Sequence, residues 1–90
     1  MSDVYKRAID HWEKNSQYLV LFEEIGELQQ AVSKFVRGVA TMADVAEEIA
    51  DVRLMLNQLQ VIVGVSDDLV NTIQQDKLAR LEMRLDEEEV

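Results

Sequence analysis

Apolar residues recur every three or four positions along almost the whole chain. That spacing belongs to amphipathic α-helices, and no segment shows the sustained two-residue alternation of a half-buried strand. Little interrupts it, since there is no proline and the only glycines are Gly26, Gly38 and Gly64. Gly38 and Gly64 each follow a long periodic stretch, the place where a left-handed residue ends a helix. Gly26 falls mid-pattern, where it costs about 1 kcal/mol against alanine and suggests a close packing contact. Thr41, with Asp44 three residues on, resembles a capping box. Ser66 before Asp67 and Asp68 favours the positive end of another helix, and Ser16 after Asn15 is a weaker start. Together these signals predict four helices over about 3–14, 17–37, 42–63 and 67–86, with the tail Glu87–Val90 frayed. The expected fold class is all-α: one bundle-like domain of four helices over residues 1–90, built around a central antiparallel hairpin.

Composition narrows what such a domain can do. Its 90 residues carry 18 acidic and 9 basic side chains, a formal charge of −9. A chain this short buries only about 60% of its unfolded surface, so self-association would help it. Without cysteine it has no disulfide, thiolate metal site or Cys nucleophile, and a lone His11 rules out multi-histidine centres. The acidic balance argues against nucleic acid, whose phosphates demand a basic face, and suits a protein that gathers divalent cations. A hydrophobic fraction of 48% argues against disorder. No apolar run approaches the roughly 18 residues of a membrane span. The opening MSDVYKRAID lacks a signal-peptide core. A soluble cytoplasmic protein with no membrane partner is the expectation.

Rotation by about 100° per residue shows which face each acidic group occupies. With Glu24 as origin, Phe35, Leu28, Leu21, Val32 and Ile25 fall within about 100° on one side, Ala31 and Val20 just to the other. Glu24 therefore lies inside the apolar arc, with Glu27 at its edge. Glu48 repeats the arrangement on the third helix: Leu59, Val52, Val45 and Ile49 lie on one side, Met55 and Ile62 on the other, and Asp51 takes the edge. A short turn around Gly38 to Thr41 makes the two helices an antiparallel hairpin. Counting twelve residues either way from Val39 sets Glu27 level with Asp51, with Glu24 and Glu48 a turn to either side. Four carboxylates facing one another in a water-poor groove repel, and a cation between them is the economical remedy. Oxygen-only ligands point to Mg²⁺ or Mn²⁺. The alternative is a solvated or salt-bridged face, the reading given to Glu23 and Glu47.

At these residues the chain resembles a known family. Leu21-Phe22-Glu23-Glu24-Ile25-Gly26-Glu27-Leu28 followed by Glu47-Glu48-Ile49-Ala50-Asp51-Val52 is similar to the MazG-like all-α nucleoside triphosphate pyrophosphohydrolases, whose pattern is ExxE, a spacer, then ExxD. Lys77 to Leu85 also looks like the closing helix of small members, so the resemblance spans roughly residues 16–85. It implies Mg²⁺-dependent hydrolysis of an NTP or dNTP between the α and β phosphates, in a homodimer or homotetramer with the site near a subunit boundary. Glu24, Glu27, Glu48 and Asp51 would be the metal-binding and catalytic set. Glu24 and Glu27 are both candidates for the base that accepts the water's proton.

Other residues are candidates for the substrate's remaining parts. Lys77, Arg80 and Arg84 share one helical face and could meet phosphates, although Asp76–Arg80 and Arg84–Glu87 spacings also suit surface charge networks. Lys34 and Arg37 near the end of the second helix read as complements to its dipole. Trp12, with His11, Asn15 and Gln17, offers a platform for a base. Yet Tyr5, Ile9 and Trp12 at i, i+4 and i+7 also read as plain core, which is the favoured reading. Phosphoribosyl-ATP pyrophosphatase activity is the near alternative, and a non-catalytic helical dimerisation module the distant one.

Overall fold

The two long helices each carry an uninterrupted seam. On one, Tyr18, Leu21, Ile25, Leu28, Val32 and Phe35 alternate steps of three and four; on the other, Met42, Val45, Ile49, Val52, Leu56, Leu59 and Val63 do the same. Such heptad spacing keeps a seam facing a neighbouring helix over many turns. In the computed structural model, which describes residues 3–89, the chain forms four α-helices and no strand among those residues. They are α1 (Val4–Trp12), α2 (Lys14–Val36), α3 (Met42–Val63) and α4 (Asp67–Glu88). Helices α2 and α3 form the expected antiparallel hairpin, and α1 folds back over both. None of the helices is long and apolar enough to cross a membrane.

The helix ends follow local chemistry. Thr41 Oγ1 accepts from the Asp44 amide at 3.2 Å, while Asp44 Oδ2 accepts from the Thr41 amide at 2.8 Å, closing the capping box. These bonds hold the Asp44 carboxyl below its ordinary range. Ser66 accepts from the Leu69 amide at 3.1 Å and starts α4. Gly38 (φ 79°) and Gly64 (φ 84°) take the left-handed conformation that ends α2 and α3. The turn after α2 is tied back by Val39 N–H donating to the Lys34 carbonyl at 2.9 Å.

Three local expectations need correction. The boundary between α1 and α2 is not at Ser16, which lies inside α2, but at Glu13, whose φ of 66° is the only positive value on a non-glycine described residue. No glycine, proline or side-chain cap marks it; docking of α1 onto α3 is what the break permits. Helix α4 continues through Glu88 rather than fraying at Glu87, Val90 lying outside the described residues. Gly26 makes no close contact: a Cβ there would meet nothing within 4 Å.

The core is small. Among the described residues only Ile9 and Leu21 are buried apolar side chains, joined by the buried amides of Gln17 and Gln58. Gln58 Nε2 donates to Gln17 Oε1 at 2.6 Å and ties α3 to α2. Helix α4 touches the rest of the chain only lightly, Gln60 Nε2 of α3 donating to Asp67 Oδ1 at 2.7 Å at its start, so the four helices do not close into one bundle within the chain. Its Leu69, Ile73, Leu78, Leu81 and Leu85 are all exposed. The radius of gyration is 16.6 Å, against about 12 Å for a compact domain of this length.

Gly26 is thus a helix-interior glycine with open space around it. Gly26→Ala should stabilise the protein by about 1 kcal/mol, raising the melting temperature by roughly 4–8 °C at fixed protein concentration in a circular-dichroism melt.

Candidate metal centre

The Gln17–Gln58 contact sets the register of the hairpin. Counting seven residues inward along each helix places Glu24 opposite Asp51, and counting ten places Glu27 opposite Glu48. This corrects the expected level pairing of Glu27 with Asp51. The helices are offset by nearly a turn, because α2 overshoots the start of α3 before the Gly38 turn brings the chain back.

In this register, Glu24, Glu27 and Glu48 each present a carboxylate oxygen, and these atoms all lie within 4.8 Å of one another. Glu24 and Glu48 are half-buried, whereas Glu27 and Asp51 are exposed. Asp51 stands outside the convergent trio, yet close enough to repel both Glu24 and Glu48. Glu24 Oε2 and Glu48 Oε2 are buried and have no hydrogen-bond partner. Glu23 and Glu47 are exposed, in keeping with solvated positions.

The electrostatics follow. Desolvation raises the Glu24 pKa above its usual 4.5, and repulsion from Glu27, Asp51 and Glu48 adds to it. Glu48 is raised for the same leading reason, then by Glu27, Asp51 and Glu47. The donor set is oxygen only, and its two buried orphan oxygens lack a positive partner. Hard divalent cations such as Mg²⁺ and Mn²⁺ suit those donors.

Two recesses flank the carboxylates. On one side an apolar groove of about 470 Å³ is walled by Tyr5, Ala8, Trp12, Val20, Leu54 and Met55, and Gln17 and Gln58 also line it. Val20 is one turn before Glu24, and Met55 one turn after Asp51. Trp12 is 58% exposed on this groove, which counts against the core reading; its neighbour His11 meets it edge-on at 4.8 Å. Asn57, unassigned from sequence, donates to the Tyr5 hydroxyl at 3.0 Å. On the other side a polar recess of about 480 Å³ is lined by Glu27, Lys34, Val39, Asp44, Glu47 and Glu48. Lys34, expected to complement the dipole of α2, also lines this recess; the signal is its i+7 spacing from Glu27, which puts both on one face.

Lys77 and Arg80 sit on α4, which touches the rest of the chain only lightly. Arg84 on the same helix lies 3.6 Å from Glu88, an exposed i, i+4 pair.

The raised carboxyls fix the sign of a pH effect. A carboxyl whose folded-state pKa exceeds its unfolded value contributes most below the unfolded value of 4.5 and loses that contribution as pH rises through the folded value. Near neutral pH, and without divalent cations, the cluster therefore destabilises the fold. Glu48→Gln should raise the melting temperature of the metal-free protein and flatten its fall with rising pH above 4.5. Melts across that range in the presence of a chelator check both effects; a lower melting temperature for Glu48→Gln at neutral pH would contradict the argument.

No family model, curated protein or solved structure matches this chain.

Proposed function

We propose that this chain is a Mg²⁺-dependent nucleoside triphosphate pyrophosphohydrolase that acts as a homodimer or homotetramer. Water would cleave the bond between the α and β phosphates, leaving a nucleoside monophosphate and pyrophosphate. The observation that carries this reading is the pair of buried, partnerless oxygens of Glu24 and Glu48 within one cluster of carboxylates that Glu27 completes. Glu24, Glu27, Glu48 and Asp51 are the residues that would hold the metal. Bound there, Mg²⁺ or Mn²⁺ would neutralise phosphate oxygens and lower the pKa of a coordinated water.

The flanking recesses support the assignment by their order along the hairpin. An apolar groove with Trp12 and two amides suits a base and sugar. The polar recess holds one cation, Lys34, among Glu27, Asp44, Glu47 and Glu48, so outer phosphates would enter it with divalent cations that offset those carboxylates. A nucleoside triphosphate laid from one to the other would bring its first anhydride bond to the acidic cluster. Glu24 and Glu27 are the candidates to accept the water's proton, whichever of them keeps an oxygen free of the metal. Lys77 and Arg80 would meet phosphates from α4, supplied by a neighbouring copy.

The test separates nucleotide products after incubation with each common NTP and dNTP, and with phosphoribosyl-ATP, plus Mg²⁺ or Mn²⁺. Monophosphate and pyrophosphate are expected. Orthophosphate as first product would refute the bond position, and turnover confined to phosphoribosyl-ATP would favour the related activity. No turnover anywhere would favour a helical dimerisation module. Asp51→Asn should cut turnover by orders of magnitude with helical content intact. Lys34→Ala and Arg80→Ala should cost less, about 10- to 150-fold each, as expected for one charge-assisted contact. In the same preparations, millimolar Mg²⁺ should raise the melting temperature of the wild type but not of Glu48→Gln, because a ligand stabilises the state that binds it.

A further inference from the structure

Nothing in the sequence between Trp12 and Lys14 stops a helix. There is no glycine, proline or side-chain cap, yet the chain breaks at Glu13 with φ 66° and ψ 152°. Glycine adopts that combination readily; a residue with a Cβ is strained there. The apolar stripe of α1 also runs on across the break. At about 100° per residue, Tyr5, Ala8 and Trp12 share an arc with Leu19 and Phe22 of α2. Asp10 stands four residues before Lys14, the order that favours an ion pair on a continuous helix. In the bent chain no ion pair joins them, Arg84–Glu88 being the one among the described residues. Backbone bonding from one turn to the next stops at the Glu13 amide and resumes at the Gln17 amide. The amides of Lys14, Asn15 and Ser16 thereby forgo the carbonyls of Asp10, His11 and Trp12.

Local preference therefore favours one long helix from Val4 to Val36, and tertiary contacts alone hold the bend. Those contacts are few. Ile9 is buried where α1 lies on the hairpin, and Asn57 Nδ2 of α3 donates to the Tyr5 hydroxyl at 3.0 Å. Asn57 is exposed, so water competes for that bond. The same bend builds the apolar groove. Tyr5, Ala8 and Trp12 are its α1 wall, while Val20, Leu54 and Met55 come from the hairpin. With α1 in line with α2, the first wall leaves and the groove is gone.

We propose that α1 is a gate hinged at Glu13, which forms the groove when docked and dismantles it by straightening into α2. Glu13 is the strained joint, Ile9 the anchor and the Tyr5–Asn57 bond the latch. An occupant of the groove touches α1 only in the docked form, so it stabilises that form, and straightening releases it. This holds for whatever ligand the groove takes and does not depend on the hydrolytic reading.

Spin labels on Lys6→Cys and Gln30→Cys, both exposed positions, distinguish the two forms, since the natural chain has no cysteine. A straight helix sets these positions about 36 Å apart, and the bend shortens that distance. Dilution with unlabelled protein restricts pulsed dipolar spectroscopy to distances within one chain. The otherwise unaltered protein should show both distances, the shorter in excess. Glu13→Gly should deplete the longer one about fivefold or more, because glycine takes the bend without strain and weakens the straight helix. Asn57→Ala should raise the ratio of longer to shorter by about two- to tenfold, the effect of losing one hydrogen bond. A single distance in all three proteins, a longer distance that Glu13→Gly enriches, or one that Asn57→Ala leaves unchanged would overturn the gate.

Discussion

Glu24 and Glu48 are carried to one place by the same seam that holds the hairpin together, and each leaves a carboxylate oxygen buried without a partner. Glu27, at the third corner, repels both. The two requirements conflict, because tighter helix packing desolvates the carboxylates further while their mutual repulsion pushes the helices apart. Most of the remaining structure can be read as accommodation to that conflict. Apolar contacts above and below the cluster, together with the buried Gln17–Gln58 bond, hold the helices in place despite it. A cation among the oxygens would turn the repulsion into attraction, which is the energetic argument behind the proposed metal site.

The turn beside the cluster is correspondingly well anchored. Gly38 ends α2 in a left-handed conformation, and the reciprocal Thr41–Asp44 bonds begin α3. With Asp44 ionised in that cap, its negative charge is committed to backbone donors. It lies on the rim of the polar recess near Lys34, so the recess is not simply an extension of the acidic cluster.

What the sequence made legible was mostly local. Both glycine stops, both hydroxyl caps and the placement of Glu24 and Glu48 inside apolar arcs depend on residues within a turn or two of one another. The break at Glu13 was hidden because its cause is tertiary: a glutamate accepts a positive φ where α1 docks on the hairpin. The pairing register slipped for a similar reason, since counting from the turn centre ignores the offset between helices that the Gln17–Gln58 contact fixes. Trp12 misled in another way. Its i+7 spacing from Tyr5 suits a core helix, but α1 is only nine residues long and ends with the indole at the groove. Lys34 sits in the last turn of α2, where the helix dipole alone accounts for a cation, and its recess exists only once α3 folds back beside it.

Charge is segregated across the hairpin as clearly as polarity is along a single helix. One broad side gathers carboxylates, amides, a lysine and an indole around two recesses; the other carries branched aliphatic side chains and no acidic group. A 90-residue chain with two buried apolar side chains among its described residues has little core of its own to resist repulsion at the seam. Self-association, as proposed, would supply that resistance from outside the chain. Helix α4, with leucines beside Lys77, Arg80 and Arg84, is then free to reach another copy. The acidic cluster and the aliphatic side are thus two consequences of one pattern. A heptad seam places the apolar residues, and an ExxE or ExxD step lies beside it on each helix, on the side where the chemistry is proposed.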